Sequence, residues 1–87
     1  MNELKILHAK GFKIVSNWQE CNSKSIFFLN TLNLMDFDKY QKFAIKKKCT
    51  HIIANSSIEK HNEIKNIKYY YINVKKDLFR IKKYFLP

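Results

Sequence analysis

Four short apolar runs alternate with amphipathic and polar segments along the chain. Residues 26–29, 50–54 and 69–74 are rich in β-branched and aromatic side chains, which is typical of β-strands. The first of these runs is apolar at every position, as expected of a strand that is buried on both faces. Residues 12–16 predict a shorter strand ahead of it. The pattern therefore predicts four strands.

The clearest helix is predicted over residues 36–48. Its apolar side chains fall on one stripe at helical spacing: Phe37, Tyr40, Phe43 and Ala44. We expect Asp36 or Asp38 to cap its amino end, because a carboxylate there accepts backbone N–H bonds and complements the helix dipole. The lysines at 46–48 complement the negative carboxyl end, which favours a role in helix electrostatics over a binding patch.

Two further helices are predicted, one before the first strand and one after the last. The first covers residues 2–10, with Asn2 as its cap and Gly11 after its last turn. The second covers residues 75–85, with Asp77 in its first turn. Its inner stripe consists of Leu78, Ile81 and Phe85.

The remaining segments are polar. They predict loops at residues 17–25, 30–35 and 55–66, the last with one helical turn near Glu59. The elements then follow in the order (α)ββαββα, and a strand, a helix and a strand in succession imply a parallel pair. The sequence predicts an α/β fold: one small single-domain layer fold over residues 1–87, with a mixed or mostly parallel β-sheet and helices packed on it.

Three consecutive tyrosines, Tyr69, Tyr70 and Tyr71, lie in the last predicted strand. Side chains alternate along a strand, so Tyr69 and Tyr71 share one face and Tyr70 points to the other. Aromatic faces on a sheet can stack nucleobases, but helices that cover both faces would bury these rings. We therefore expect the tyrosines to pack in the core.

The chain carries 17 basic residues against 7 acidic ones, a formal net charge of +10. This excess favours a polyanionic partner, with the lysines at 46–48, 75–76 and 82–83 supplying nonspecific RNA or DNA binding. Only Arg80 is arginine, however, and arginine supplies the bidentate fork that reads phosphate and guanine. Because Lys, Asn, Ile, Phe and Tyr all have A/T-rich codons, a low-GC genome gives the same composition. Nucleic acid is thus only weakly indicated.

Glycine is scarce, since Gly11 is the only one. A phosphate-binding P-loop and a dinucleotide-binding fingerprint both need several glycines, so we expect no nucleotide hydrolysis by this chain. No apolar run approaches the roughly 20 residues that span a bilayer. Residues 1–8 also lack the pattern of a secretory signal. We expect a cytoplasmic protein with no membrane partner.

Two cysteines and three histidines are the candidate metal or catalytic residues. Cys49 and His51 are two apart, so a strand would place them on one face, with Cys21 and His61 as distant partners. No Cys-x-x-Cys or His-x-x-x-His pair accompanies them, so buried cysteines are a better interpretation than a zinc site. His8, His51 and His61 lack a recognisable nucleophile or carboxylate constellation, and no catalytic residue is assigned.

Residues 17–54 carry a recognisable succession of motifs. A strand with two phenylalanines at 25–29 is followed, in register, by a loop aspartate, an amphipathic helix and an Ile-Ile-Ala strand. The residues that carry the match are Asn17, Trp18, Gln19, Asp36, Tyr40, Ala44, Ile45, Ile52, Ile53 and Ala54. The segment resembles the N-terminal domain of the Mur ligases, as in the UDP-N-acetylmuramyl-tripeptide synthetases. Residues 71–87 resemble the last strand and helix of that domain.

The resemblance implies a substrate-binding role. In the family this domain holds the uridine diphosphate end of a UDP-N-acetylmuramyl peptide, a UDP-sugar. ATP, magnesium and the ligase chemistry belong to a central domain, so the resemblance implies no cofactor and no chemistry in these 87 residues. The implied ligand-binding residues lie on two loops: Asn17, Asn30, Thr31, Asn33 and Asp36. The chain is then either part of a longer cell-wall peptide ligase or a free-standing relative.

Five positions depart from the family pattern. Trp18 and Gln19 stand where the family has a serine and an arginine, and Asn33 where a histidine is frequent. Leu32 and Phe37 replace loop glycines. A tryptophan cannot copy the hydrogen bonds of a serine, and side chains in place of glycine block a close approach to the backbone. We therefore expect weakened nucleotide binding.

An alternative function follows from the same departures. A chain that keeps the scaffold but loses the nucleotide contacts can act as a small basic interaction module. Its partner would be another protein, or RNA or DNA bound nonspecifically.

Overall fold

The computed structural model of the protein describes residues 2–58 and 61–85. Within these ranges the elements are α1 (Asn2–Ala9), β1 (Lys13–Val15), a 3-10 turn (Trp18–Glu20), β2 (Ser25–Leu29), α2 (Leu34–Lys46), β3 (His51–Asn55), β4 (Lys68–Ile72), α3 (Val74–Ile81) and a second 3-10 turn (Lys82–Tyr84). The predicted α/β fold class is confirmed, with all four strands and all three helices present. The helical turn predicted near Glu59 falls outside the described residues.

The four strands form one sheet in the order β1-β2-β3-β4, and every described ladder is parallel. The register pairs Phe27 of β2 with Val15 of β1 and with Ile52 of β3. Parallel neighbours that are consecutive in the chain need a crossover after each strand. As a result, the carboxyl ends of all four strands meet at one edge of the sheet.

The sheet lies between two layers. α2 covers one face, together with the Trp18–Glu20 turn and the segment between β3 and β4. α1 and α3 cover the other face. Side chains alternate along β2, so Phe27 enters the α2 layer and Ile26 the α1/α3 layer. Burying such a side chain contributes about 1.5–3 kcal/mol, and the apolar runs thus hold the sheet from both sides.

The helix ends depart from the prediction at the amino side. α2 begins at Leu34, and Asn33 is its cap, because Asn33 Oδ1 accepts from the Asp36 N–H at 3.0 Å. Neither Asp36 nor Asp38 is the cap, since asparagine caps a helix as well as aspartate does and stands first in the chain. Asn2 is the first residue of α1 rather than its cap.

α1 and α2 are each followed by a residue in the left-handed conformation. Gly11 follows α1, as predicted, with a φ of 94°. Lys48 takes the same place after α2 with a φ of 73°, and the Cys49 N–H reaches back to the Ala44 carbonyl at 3.2 Å. This closure is the one that glycine makes at least cost.

α3 is shorter than predicted. It ends at Ile81, and the chain tightens into the Lys82–Tyr84 turn, as helix ends often do to satisfy their last carbonyls. Leu78 and Ile81 still face the core. Phe85 leaves the helical stripe and forms a bridge with Ile14 at the outer edge of β1.

The tyrosines of β4 alternate as predicted. Tyr69 packs in the α2 layer and Tyr70 in the α1/α3 layer, each half-buried. Tyr71 is 43% exposed, so the expectation of core packing is wrong for this residue. β4 is an edge strand, and the helices do not cover the Tyr71 ring.

Candidate functional site

The carboxyl edge of the sheet carries a row of asparagines: Asn17 after β1, Asn30 after β2, Asn55 at the end of β3 and Asn73 after β4. Asn17 and Asn73 cap the helical segments that follow them. Asn55 Nδ2 donates to Asn30 Oδ1 at 3.2 Å, which ties the ends of β2 and β3 together. The edge is therefore a line of short amide side chains.

A cavity of about 460 Å³ opens at the carboxyl ends of β1 and β2. It is lined by Ser16, Asn17, Trp18, Phe27, Phe28, Leu29, Asn30, Thr31 and Tyr40. This volume lies within the range of small-ligand pockets. Because β1 and β2 are parallel neighbours, their following loops bring Asn17, Asn30 and Thr31 to one place.

Asn30 and Thr31 retain donors for a ligand. Asn30 Oδ1 accepts from Asn55, and within the hydrogen bonds of the described residues its Nδ2 group is unused. Thr31 Oγ1 accepts from the Asn33 N–H at 3.2 Å, which leaves the hydroxyl hydrogen to donate. The cavity thus offers N–H and O–H donors on one side.

Aromatic rings form another part of the wall. The Trp18 and Phe43 ring centres are 4.8 Å apart, and Phe43 lies 6.1 Å from Tyr40, so the two wall rings are held by a common neighbour. The Nζ of Lys47 lies 6.0 Å from the Trp18 ring centre, outside the lining. Every described lining residue is uncharged. Such a wall suits a planar, hydrogen-bonding group better than a phosphate.

Asn33 and Asp36 do not join this cavity. They belong to the first turn of α2, where Asn33 caps the helix through the Asp36 N–H. Asn17 also has a backbone role, because its Oδ1 accepts from the Gln19 N–H at 3.0 Å. The structure therefore brings together three of the five predicted residues and uses the other two at a helix end.

Leu32 and Phe37, which we expect to stand in place of glycines in the Mur-ligase pattern, are also absent from the described lining of the cavity. Leu32 is exposed on the loop after β2. Phe37 is turned into the α2 layer, with its ring centre 4.2 Å from that of His61. Neither side chain blocks the cavity, whereas Trp18 forms part of its wall.

The cysteines are buried in the α2 layer, as predicted. Cys49 Sγ donates to the His51 carbonyl at 3.2 Å, and the neighbouring Cys49 thiol, together with burial, raises the pKa of Cys21. Cys49 and His51 do not share a face, because β3 begins only at His51 and this ring packs in the other layer, 5.1 Å from Phe12. No group of three metal-ligating side chains occurs within residues 2–58 and 61–85.

A polar cluster that the sequence did not predict joins the β3–β4 segment to β4. His61 Nε2 lies 2.8 Å from the Tyr71 hydroxyl, which donates to Glu63. Burial and the bond to Glu63 raise the pKa of Tyr71. A cavity of about 520 Å³ adjoins it. The three residues are spread over a polar loop and a strand, so no spacing in the sequence marks them.

Comparison of the chain with models of known protein families, with curated proteins and with solved structures finds no match. In the part of the chain that the structure describes, every helix is too short or too polar to cross a membrane.

Proposed function

We propose that the chain is a uridine-nucleotide-sugar-binding domain of the Mur-ligase type, either part of a cell-wall peptide ligase or a free-standing relative with weakened binding. The observation that carries the proposal is the cavity at the carboxyl ends of β1 and β2, where Asn17, Asn30 and Thr31 meet. Parallel α/β sheets bind ligands at this edge.

The chemistry of the cavity suits uracil. The base has two carbonyl acceptors, which the Asn30 amide and the Thr31 hydroxyl can satisfy, and a flat face for Trp18 or Tyr40. A base that stacks on an aromatic ring gains about 1–3 kcal/mol. The nucleoside end of the ligand would therefore supply most of the affinity.

The turn after α2 lends further support. The family has a Gly-Ala turn between its amphipathic helix and the next strand. Here Lys48 and Cys49 stand between α2 and β3, and Lys48 adopts the left-handed conformation that glycine takes most readily. The backbone of this turn fits the family pattern although its glycine is replaced.

The diphosphate would be held weakly. No basic side chain is among the described lining residues, and Asp36 places a carboxylate in the first turn of α2. Trp18 and Gln19 replace the polar pair of the family. We propose that the chain binds the nucleotide and performs no chemistry itself, since ATP and magnesium act on a different domain in the family.

Isothermal titration with a UDP-N-acetylmuramyl peptide tests the proposal. We expect a dissociation constant near the millimolar range, about −4 kcal/mol. Thr31→Val removes the hydroxyl and should weaken binding roughly two- to tenfold, because a hydrogen bond contributes about 0.5–1.5 kcal/mol.

Thr50→Val is the matched control. Thr50 is exposed next to His51, at the amino edge of the sheet, and its loss should leave the affinity unchanged. No binding at millimolar ligand, or equal effects of Thr31→Val and Thr50→Val, would contradict the proposal.

A further inference from the structure

The most exposed large apolar side chain among the described residues is Phe79, on the outer face of α3. It is 85% exposed, while the neighbouring Leu78 and Ile81 turn toward the sheet. Solvent exposure of one aromatic ring is common by itself. Its surroundings on the helix set this one apart.

Four exposed lysines stand three or four positions from Phe79 in the chain. Residues three and four apart are neighbours on a helix surface, and all four such positions around Phe79 are lysine: Lys75, Lys76, Lys82 and Lys83. α3 ends at Ile81, so Lys82 and Lys83 stand in the 3-10 turn that follows, where both line one groove with Phe79. Arg80, the next residue in the chain, adds a fifth exposed cation on α3.

These cations are not neutralised by the fold. Within the described residues the one ion pair closer than 4 Å joins Lys42 to Asp38, on α2. Asp77, the carboxylate of α3, accepts from the Asn73 N–H at the start of the helix. A groove of about 590 Å³ runs beside Phe79 and includes Lys83, whose Nζ lies 5.3 Å from the Tyr84 ring centre.

The lysines at 46–48 form a different kind of cluster. They close the carboxyl end of α2, and the nearest described aromatic contact is Lys47 above the half-buried Trp18. A highly exposed aromatic side chain with lysines nearby in the chain therefore occurs on α3 but not at the carboxyl end of α2. The two basic runs of the sequence are therefore distinguishable by structure.

We propose that the outer face of α3 binds single-stranded nucleic acid, with an unpaired base stacked on Phe79 and the flanking phosphates neutralised by the surrounding lysines. Binding of this kind combines aromatic platforms with a cationic track and needs no base-specific contacts. Duplex DNA keeps its bases stacked inside and gives Phe79 no partner. The surface is separate from the uridine cavity and does not rest on that assignment.

An anionic membrane fits this face less well. An interfacial helix buries a broad apolar face in the lipid, but the apolar stripe of α3 is already covered by the sheet. Phe79 alone remains outside. A single exposed ring with lysines nearby offers one stacking platform and adjoining cations, not the broad apolar face that a lipid surface needs.

Fluorescence anisotropy with a short labelled oligoadenylate tests the proposal, since adenine does not report on a uracil site. We expect affinity to fall steeply with salt. Lys75→Gln combined with Lys83→Gln should lower the slope of log affinity against log salt by about 1.4, or about 0.7 per phosphate contact. The matched double variant Lys46→Gln and Lys47→Gln should leave the slope unchanged.

The ring is tested by two substitutions. Phe79→Ala should weaken binding about five- to a hundredfold, the range for losing one stacked base. Phe79→Leu keeps the apolar bulk without the π-face and should lose as much. Position 79 is on the surface, so the melting temperatures of both variants should stay close to that of the parent chain.

Three results would overturn the proposal. One is an unchanged affinity in Phe79→Leu. Another is an equal loss of salt slope in the two double lysine variants. The third is tighter binding to duplex DNA or to phosphatidylserine vesicles than to the single strand.

Discussion

Three asparagines at the ends of strands and helices form helix caps. Asn17, Asn33 and Asn73 each cap the helical segment that follows, and two of the three cap from the carboxyl edge of the sheet. Two of these amides, Asn17 and Asn33, are residues that the family resemblance implies as ligand contacts, and the backbone uses both. Sequence alone cannot separate these roles, because capping and ligand binding both select short polar side chains.

His51 makes the stability depend on pH. Its ring is half-buried between Phe12 and Tyr70, and burial, followed by the charge of Lys68, lowers its pKa, with Glu3 opposing. Between the lowered folded pKa and the ordinary 6.5, the unfolded chain binds more protons. The contribution is fully present above pH 6.5 and is lost as the pH falls through the folded pKa.

The variant His51→Phe keeps the aromatic packing and removes the titration. Its melting temperature should fall less between pH 7 and pH 5 than that of the parent chain. If the melting temperature of His51→Phe falls by as much as that of the parent chain between pH 7 and pH 5, the assignment to His51 is contradicted.

Gln41 is a polar residue inside the α2 layer that the hydrophobic pattern misses. It is fully buried, and its Oε1 accepts a hydrogen bond of 2.7 Å from the Tyr69 hydroxyl. The same hydroxyl accepts from the Ile64 N–H. A glutamine beside an apolar stripe predicts exposure. It is buried here because the segment between β3 and β4 folds over α2, a contact that local patterns do not encode.

Tyr69→Phe should lower the free energy of unfolding by about 1–3 kcal/mol, because Gln41 Oε1 and the Ile64 N–H lose their partner inside the protein. The control Tyr71→Phe removes a hydroxyl whose bonds to His61 and Glu63 lie at the surface, and it should cost less than about 1 kcal/mol. Urea denaturation measures both. Equal losses would show that the buried network adds nothing.

At the scale of elements, the hydrophobic runs locate the strands well and the helix ends poorly. β2 was predicted over 26–29 and spans Ser25–Leu29, whereas α2 was predicted over 36–48 and spans Leu34–Lys46. Apolar runs report burial directly. The sequence predicts Asp36 or Asp38 as the cap of α2, but Asn33, the implied ligand residue upstream of both, caps the helix instead.

The turn after α2 gives a paired prediction. Lys48→Gly relieves the left-handed backbone and should raise the free energy of unfolding by about 1 kcal/mol. Lys47→Gly, one residue earlier with a φ of −85°, should lower it by about 0.5–1 kcal/mol. Chemical denaturation of both variants checks the sign. Stabilisation by Lys47→Gly, or destabilisation by Lys48→Gly, would contradict this account of the turn.

At the scale of the whole molecule, the fold class and the strand–helix–strand unit were readable from the sequence, but the order of the sheet was not. Pairing of β3 with β4 joins segments separated by a polar loop, and the hydrophobic pattern of each strand permits several neighbours. Parallel pairing places Asn17 beside Asn30 and Thr31 at the cavity, while Asn33 and Asp36 are used at the amino end of α2.

We propose that the cavity between the ends of β1 and β2 binds a uridine nucleotide. Titration of the ¹⁵N-labelled chain with UDP, followed through the backbone amides and the Trp18 indole, tests it most directly. The account predicts saturating shifts at Asn17, Trp18, Asn30 and Thr31 at millimolar ligand. Unmoved signals at these four residues, or shifts confined to the outer face of α3, would contradict it.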